Sequence, residues 1–239
     1  MKRGFLAVSV AGLLAVGGGL LVSTTGSAAT APNVTCQPGQ TLSSTSPGYN
    51  NVTVPAADHG ANFCNIQGAT VHGEVTVLSG GAVVIGGTST IGSLSSNSAG
   101  TGNGDVLGNG AFNFSVVMCN STDLGTLTIN GSQSLVMLGD SDVVGGNNCG
   151  GNTLKGLTNT VNDNRGGVEI DSNTVNGNLS VNSNFGLIPT TIDADTPQET
   201  TDVSNNADST HKLTCAGNAL PVESTGNTFA SYPGGQCGP

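Results

Sequence analysis

Apolar side chains recur in this chain as a small unit: one alone, then a glycine, then two more separated by a polar residue. The stretch Asn173-Thr-Val-Asn-Gly-Asn-Leu-Ser-Val-Asn182 holds the whole unit. The same order returns at Thr70-Val-His-Gly-Glu-Val-Thr-Val77, Thr90-Ile-Gly-Ser-Leu94, Leu124-Gly-Thr-Leu-Thr-Ile129 and Asn152-Thr-Leu-Lys-Gly156. A second short strand lies between copies, at Val83/Ile85, Val116/Met118, Val136/Leu138 and Val168/Ile170. Alternation of this kind predicts strands with one buried face, so Val75/Val77, Leu127/Ile129 and Leu179/Val181 point inward and Thr76, Thr128 and Ser180 outward. After residue 29 no helical periodicity is found.

Units this short cannot bury a face alone, and a repeat of roughly twenty residues predicts an all-β solenoid of about six to seven stacked coils. The copies begin at Thr70, Thr90, Thr122, Thr153 and Thr174. The two longer intervals predict loop insertions at 97–113 and 139–151, and the pattern blurs again over 185–201 before resuming at Asp202-Val-Ser204 and Leu213-Thr-Cys215. One copy breaks step. Gly156 is followed at once by Leu157, so Leu157 and Val161 fit only with a one-residue bulge. Gly and Asn fill the turns, where left-handed backbone angles are expected.

The first 29 residues read as a secretory signal: Lys2 and Arg3, an apolar run from Phe5 to Val22, and small residues Ser27-Ala28-Ala29 at the cut. Residues 30–50 read as a lead-in pinned by Cys36, and 51–239 as the coil domain with a C-terminal cap. The expected location is extracellular, without stable membrane insertion. Beyond the signal only Lys155, Arg165 and Lys212 stand against fifteen acids, which argues against nucleic acid as a partner.

All six cysteines lie in the exported part, and an even count there favours disulfides over metal, with fifteen pairings open. The repeat narrows them. Cys119 and Cys149 precede Thr122 and Thr153 by nearly the same interval, placing them at one corner of successive coils, so they are expected to pair. Cys36–Cys64 would then close the first coil and Cys215–Cys237 the last.

The repeated Asn-Thr-x-x-Gly-Asn-Leu-x-Val, the opening Val52-Thr-Val-Pro55, the segment Leu213-Thr-Cys-Ala-Gly-Asn218 and the ending Gly235-Gln-Cys237 resemble secreted right-handed parallel β-helix repeat proteins of actinomycete-type bacteria. The resemblance implies a single-stranded right-handed parallel β-helix, in keeping with the handedness of parallel crossovers. It supplies no catalytic residues.

Other parallel β-helices are similar in outline to polysaccharide-cleaving enzymes, so a polysaccharide lyase or glycoside hydrolase is the alternative. Its carboxylates would be Glu169 and Asp171, which flank inward Ile170, and Asp202 one coil later; an outward acidic row more often only solvates. Calcium would be held by Asp140 and Asp142 with Asn147 and Asn148, or by Asp193 and Asp195, although neither stretch has a calcium-loop pattern and a plain turn is the expectation. His59, His72 and His211 are scattered, and His72 takes the outward slot shared by Lys155 and Asn176. No cofactor is expected.

The first expectation for function is a non-catalytic secreted structural or binding protein. Outward Thr and Asn suit an extracellular glycan or cell-surface partner. Ice would demand Thr in register on nearly every coil, and the row Thr76, Ser95, Thr128, Ser180 is interrupted at the Lys155 copy. With no Trp and only Tyr49 and Tyr232 as tyrosines, aromatic sugar platforms are missing.

Overall fold

Strands of this length become stable only beside other strands, which satisfy the backbone groups on both edges. A computed structural model describes residues 30–56, 63–108, 110–140, 149–190, 192 and 198–238; residues 1–29, where a signal segment is expected, lie outside them. Within these residues the chain builds two extended sheets of mostly parallel strands, one of eleven and one of nine. Along the two main paths, successive strands alternate between the sheets.

The main path of the larger sheet is Val34–Thr35, Val52–Val54, Thr70–Val77, Thr90–Asn97, Leu127–Asn130, Thr158–Asn162, Asn178–Asn182 and Leu213–Ala216. The smaller sheet runs Thr41–Leu42, Cys64–Gln67, Val83–Gly86, Phe112–Met118, Leu135–Leu138, Val168–Asp171, Thr201–Ser204 and Val222–Glu223. A third ladder of two-residue strands, Thr122–Asp123, Thr153–Leu154 and Thr174–Val175, continues the first halves of Thr70–Val77 and Thr90–Asn97. Each path has eight strands, more than the six to seven passes read from the sequence. The difference comes from the supposed lead-in, which contributes Val34–Thr35 and Thr41–Leu42 to the two sheets.

The register stacks inward residues into columns. Val52, Val75, Leu94, Leu127, Asn159, Leu179 and Leu213 form one. Ile66, Ile85, Met118, Leu138, Ile170 and Val203 form another on the smaller sheet. Together with their neighbours they make one continuous buried cluster along the stack. Each such Val, Leu or Ile contributes about 1.5–3 kcal/mol on burial.

Two rungs depart from the sequence reading. At the disturbed copy the extra residue is accommodated by expelling Leu157, which is 75% exposed, while Asn159 takes the inward slot. At the Leu124 copy the expected inward leucine is 49% exposed, and Asp123 stands in the buried column between Ile91 and Leu154.

The glycines of the repeat do different work at different corners. Gly73, Gly92, Gly125, Gly156 and Gly177 stack directly on one another, and a Cβ on any of the last four would collide with the carbonyl oxygen of the glycine beneath. Close approach, rather than a left-handed angle, requires them. Left-handed residues occupy the two other corners: Ser98, Gly131, Asp163, Ser183 and Gly217 after the larger sheet, and Gly68, Gly87, Asn120, Ser172, Asn205 and Gly226 after the smaller.

Behind those corners run two buried rows of asparagine amides. In the first, the backbone N–H groups of Ser121, Asn152, Asn173 and Asn206 donate to the Oδ1 atoms of Asn152 (3.0 Å), Asn173 (2.8 Å), Asn206 (3.1 Å) and Asn227 (2.9 Å). The Nδ2 groups of Asn152, Asn173 and Asn206 donate to the carbonyls of Met118, Leu138 and Ile170. In the second row, Ser132, Asn164 and Asn184 donate to Asn164, Asn184 and Asn218, and Gln236 closes the row by accepting from Asn218 N–H at 2.9 Å.

Disulfides join Cys36–Cys64, Cys119–Cys149 and Cys215–Cys237. The first and last lie in the inner cluster. Cys119–Cys149 lies in a second cluster on the outer side of the smaller sheet, where Phe112, Phe114 and Ile188 pack over Val84, Val117 and Met137. Part of the 97–113 insertion forms this cover, with Gly102–Gly104 antiparallel to residues 112–114.

Candidate functional site

Two faces of the stack carry regular polar chemistry. On the outer side of the smaller sheet, register places Met137, Glu169, Asp202 and Glu223 in one column, with Asp171 beside Ser204 two positions on. The three carboxylates singled out in the sequence, Glu169, Asp171 and Asp202, are therefore brought together. They do not solvate the stack as expected, because Glu169 is only 2% exposed and Asp202 6%, and Asp171 is buried too.

Asp202 accepts from the Ser204 hydroxyl and shares a hydrogen bond with Glu169. Asp171 accepts from Asn205 Nδ2 at 2.9 Å and from the Ser172 hydroxyl at 3.2 Å. Burial pushes the Asp202 carboxyl up to about 7; the Ser204 and Glu169 hydrogen bonds oppose this, while the charges of Glu223 and Asp171 reinforce it. Glycosidic hydrolysis asks for something else, two carboxyls about 5–9.5 Å apart with the sugar between them. Carboxyls bonded to each other under a protein cover leave no such space.

Asp140 is buried and its N–H donates to the Cys149 carbonyl at 2.7 Å. Asp142, Asn147, Asn148, Asp193, Asp195 and His59 lie outside the described residues. Among the described residues no group of three or more His, Cys, Asp or Glu could hold a metal ion. His72 is exposed, its Nε2 2.8 Å from the Pro47 carbonyl. His211 meets Asp208 at 2.7 Å, a pairing that the Asp208-x-x-His211 spacing could have signalled.

The larger sheet presents a different surface. Its register aligns Thr35, Thr53, Thr76, Ser95, Thr128, Thr160, Ser180 and Thr214 in one outward column, a hydroxyl on every strand of the path. Successive hydroxyls are spaced by the strand separation of about 4.8 Å. The interruption expected at the Lys155 copy is absent, because expelling Leu157 brings Thr160 into the slot. A second column, Asn97, Asn130, Asn162 and Asn182, runs parallel to it. From Thr90–Asn97 to Asn178–Asn182 the outward side chains of the main path are Ser, Thr and Asn only, the corner glycine Gly92 bearing none. Charge enters at the margins, with Glu74 accepting from the Thr76 hydroxyl at 3.1 Å, Lys212 near Thr214, and exposed Lys155 and Asp163 beside the two ends of Thr158–Asn162.

No helix among the described residues is long and apolar enough to cross a membrane. Comparison with protein-family models, with curated proteins and with solved structures gave no match in any of the three.

Proposed function

We propose that this chain is an exported, non-catalytic right-handed parallel β-helix that binds an extended, uncharged glycan outside the cell through the hydroxyl face of its larger sheet. The observation that carries the reading is the unbroken column from Thr35 to Thr214, set in an uncharged surface on a chain of formal net charge −10. A flat array of hydroxyls and amides offers alternating donors and acceptors to a repeating hydroxylated polymer, and the lack of charge avoids desolvating ions on contact. The export reading rests on the 1–29 segment and on six cysteines all paired as disulfides. Alternation between two sheets, with each pass bonded in parallel to the last, supports the β-helix.

The test is a polysaccharide panel scored for both retention and reducing-end release, using wild type, a Thr128→Tyr/Thr160→Tyr double variant and Glu169→Gln. Wild type is expected to be retained by at least one neutral glycan without releasing sugar, and the double variant to lose that retention. Sugar release that Glu169→Gln abolishes would establish the enzyme instead. Retention that survives the tyrosines would place binding elsewhere.

A further inference from the structure

The rung of Asp123 is inside out. Its carboxylate side chain is fully buried in the column of Ile91 and Leu154, while the next residue, Leu124, stands half in solvent. We propose that this rung is a two-register switch: with the Asp123 carboxyl protonated it keeps the register described above, and when the proton leaves it slips by one residue, carrying Asp123 outward and Leu124 into the vacated core slot.

The neighbouring rung displays the geometry of the second register. There Ile85 is followed by four corner residues, Gly86-Gly87-Thr88-Ser89, then Thr90, inward Ile91 and the corner glycine Gly92. In the Asp123 rung the corner holds only Cys119-Asn120-Ser121 before Thr122, inward Asp123, outward Leu124 and Gly125. Moving Thr122 into the corner converts one arrangement to the other without a gap. Met118, Leu124, Gly125 and Leu127 then occupy the spacing of Ile85, Ile91, Gly92 and Leu94. A one-residue slip in a strand exchanges its two faces, so the inversion is cured in a single move. The ladder bonds at stake are Thr122 N–H to the Ser89 carbonyl and Leu124 N–H to the Ile91 carbonyl on one side, and Thr153 N–H to the Ser121 carbonyl and Lys155 N–H to the Asp123 carbonyl on the other; all are between backbone groups and pass to the following residues of this rung.

Protonation selects between the registers because of what surrounds the carboxyl. Oδ1 accepts from Gly125 N–H at 3.0 Å, and Oδ2 is buried with no hydrogen-bond partner. The side chains facing it along the column, Ile91 and Leu154, are uncharged; outward, Leu124 is flanked by exposed Lys155. Burial raises the carboxyl to about 7, and the Gly125 hydrogen bond only partly opposes this. The folded first register thus binds the proton more tightly than solvent-exposed Asp does. Its advantage is complete below the ordinary carboxyl range and is lost as pH rises through about 7.

The full-length oxidised chain with labelled Leu and Ile methyls provides the test, with a soluble paramagnetic probe added between pH 5 and pH 9. At pH 5 the Leu124 methyls are expected to be strongly relaxed and those of Ile91 protected. At pH 9 Leu124 is expected to fall to the protection of Ile91, with both states absent from pH control in Asp123→Asn. Leu124 methyls that stay exposed throughout would overturn the switch, as would Leu124 and Ile91 becoming exposed together, which is local unfolding. An unchanged pH response in Asp123→Asn would also overturn it. Asp123→Leu, which suits the core slot, reports whether the rung tolerates substitution and should hold the first register at every pH.

Discussion

At the scale of single residues, the asparagines do more than turn the chain. Except for Asn152, each Asn of the two buried rows follows a left-handed residue, as in Ser172-Asn173, Asn205-Asn206, Asp163-Asn164 and Ser183-Asn184. The left-handed residue turns the strand, and the Asn amide then serves the rungs on both sides. Replacing Asn173 by Ala would orphan the Asn152 N–H and the Leu138 carbonyl, at roughly 1–3 kcal/mol for each buried group. Chemical denaturation should show that loss, whereas Asn176→Ala, at an exposed outward position, should stay within about 0.5 kcal/mol of wild type. This role was not legible beforehand. Asn is favoured in any turn, so composition alone could not separate Asn176, which faces solvent, from Asn173, which holds the stack.

At the scale of the element, the corner glycines set how closely one rung approaches the next. Gly156 lies over the Gly125 carbonyl and Gly177 over that of Gly156, with no room for a methyl group. Gly156→Ala should therefore cost more than about 3 kcal/mol or abolish folding, since backbone must move to admit it. Gly238→Ala, with nothing near its Cβ position, is the matched control in a thermal melt and should be silent. The alternation Val75/Val77, Leu127/Ile129 and Leu179/Val181 was readable because stacking needs only a period of two. The Asp123 rung was not, and the Leu157 rung was readable only as a bulge, without showing that Leu157 is the residue expelled. Corners here accept one residue more or fewer, so an apolar residue beside a glycine does not by itself say which way it faces. The acidic row was readable as a row but not as buried, because alternation says which face a side chain takes and not what covers that face.

At the scale of the whole molecule, the three disulfides divide into two kinds. Cys36–Cys64 and Cys215–Cys237 fasten the first and last passes, where among the described residues one side of the stack has no paired strand. Cys119–Cys149 fastens the outer cover. Closing loops of 28, 30 and 22 residues stabilises the fold by about 3–4 kcal/mol each on chain-entropy grounds. Reduction followed by hydrogen exchange should raise exchange first in the terminal passes, while a Cys119→Ser/Cys149→Ser variant should loosen the outer cover at 102–104 and leave the inner columns protected. A uniform rise after reduction would mean the stack opens as one unit.

The amide rows also have a direction. Every Asn oxygen receives the N–H of the rung before it, so each rung is completed only by the one that follows, and the rows end at Asn227 and Gln236 near the carboxyl terminus. A chain emerging from the ribosome amino end first would carry an unfinished top layer on each new rung, and could seal the two rows only when Asn227 and Gln236 arrive.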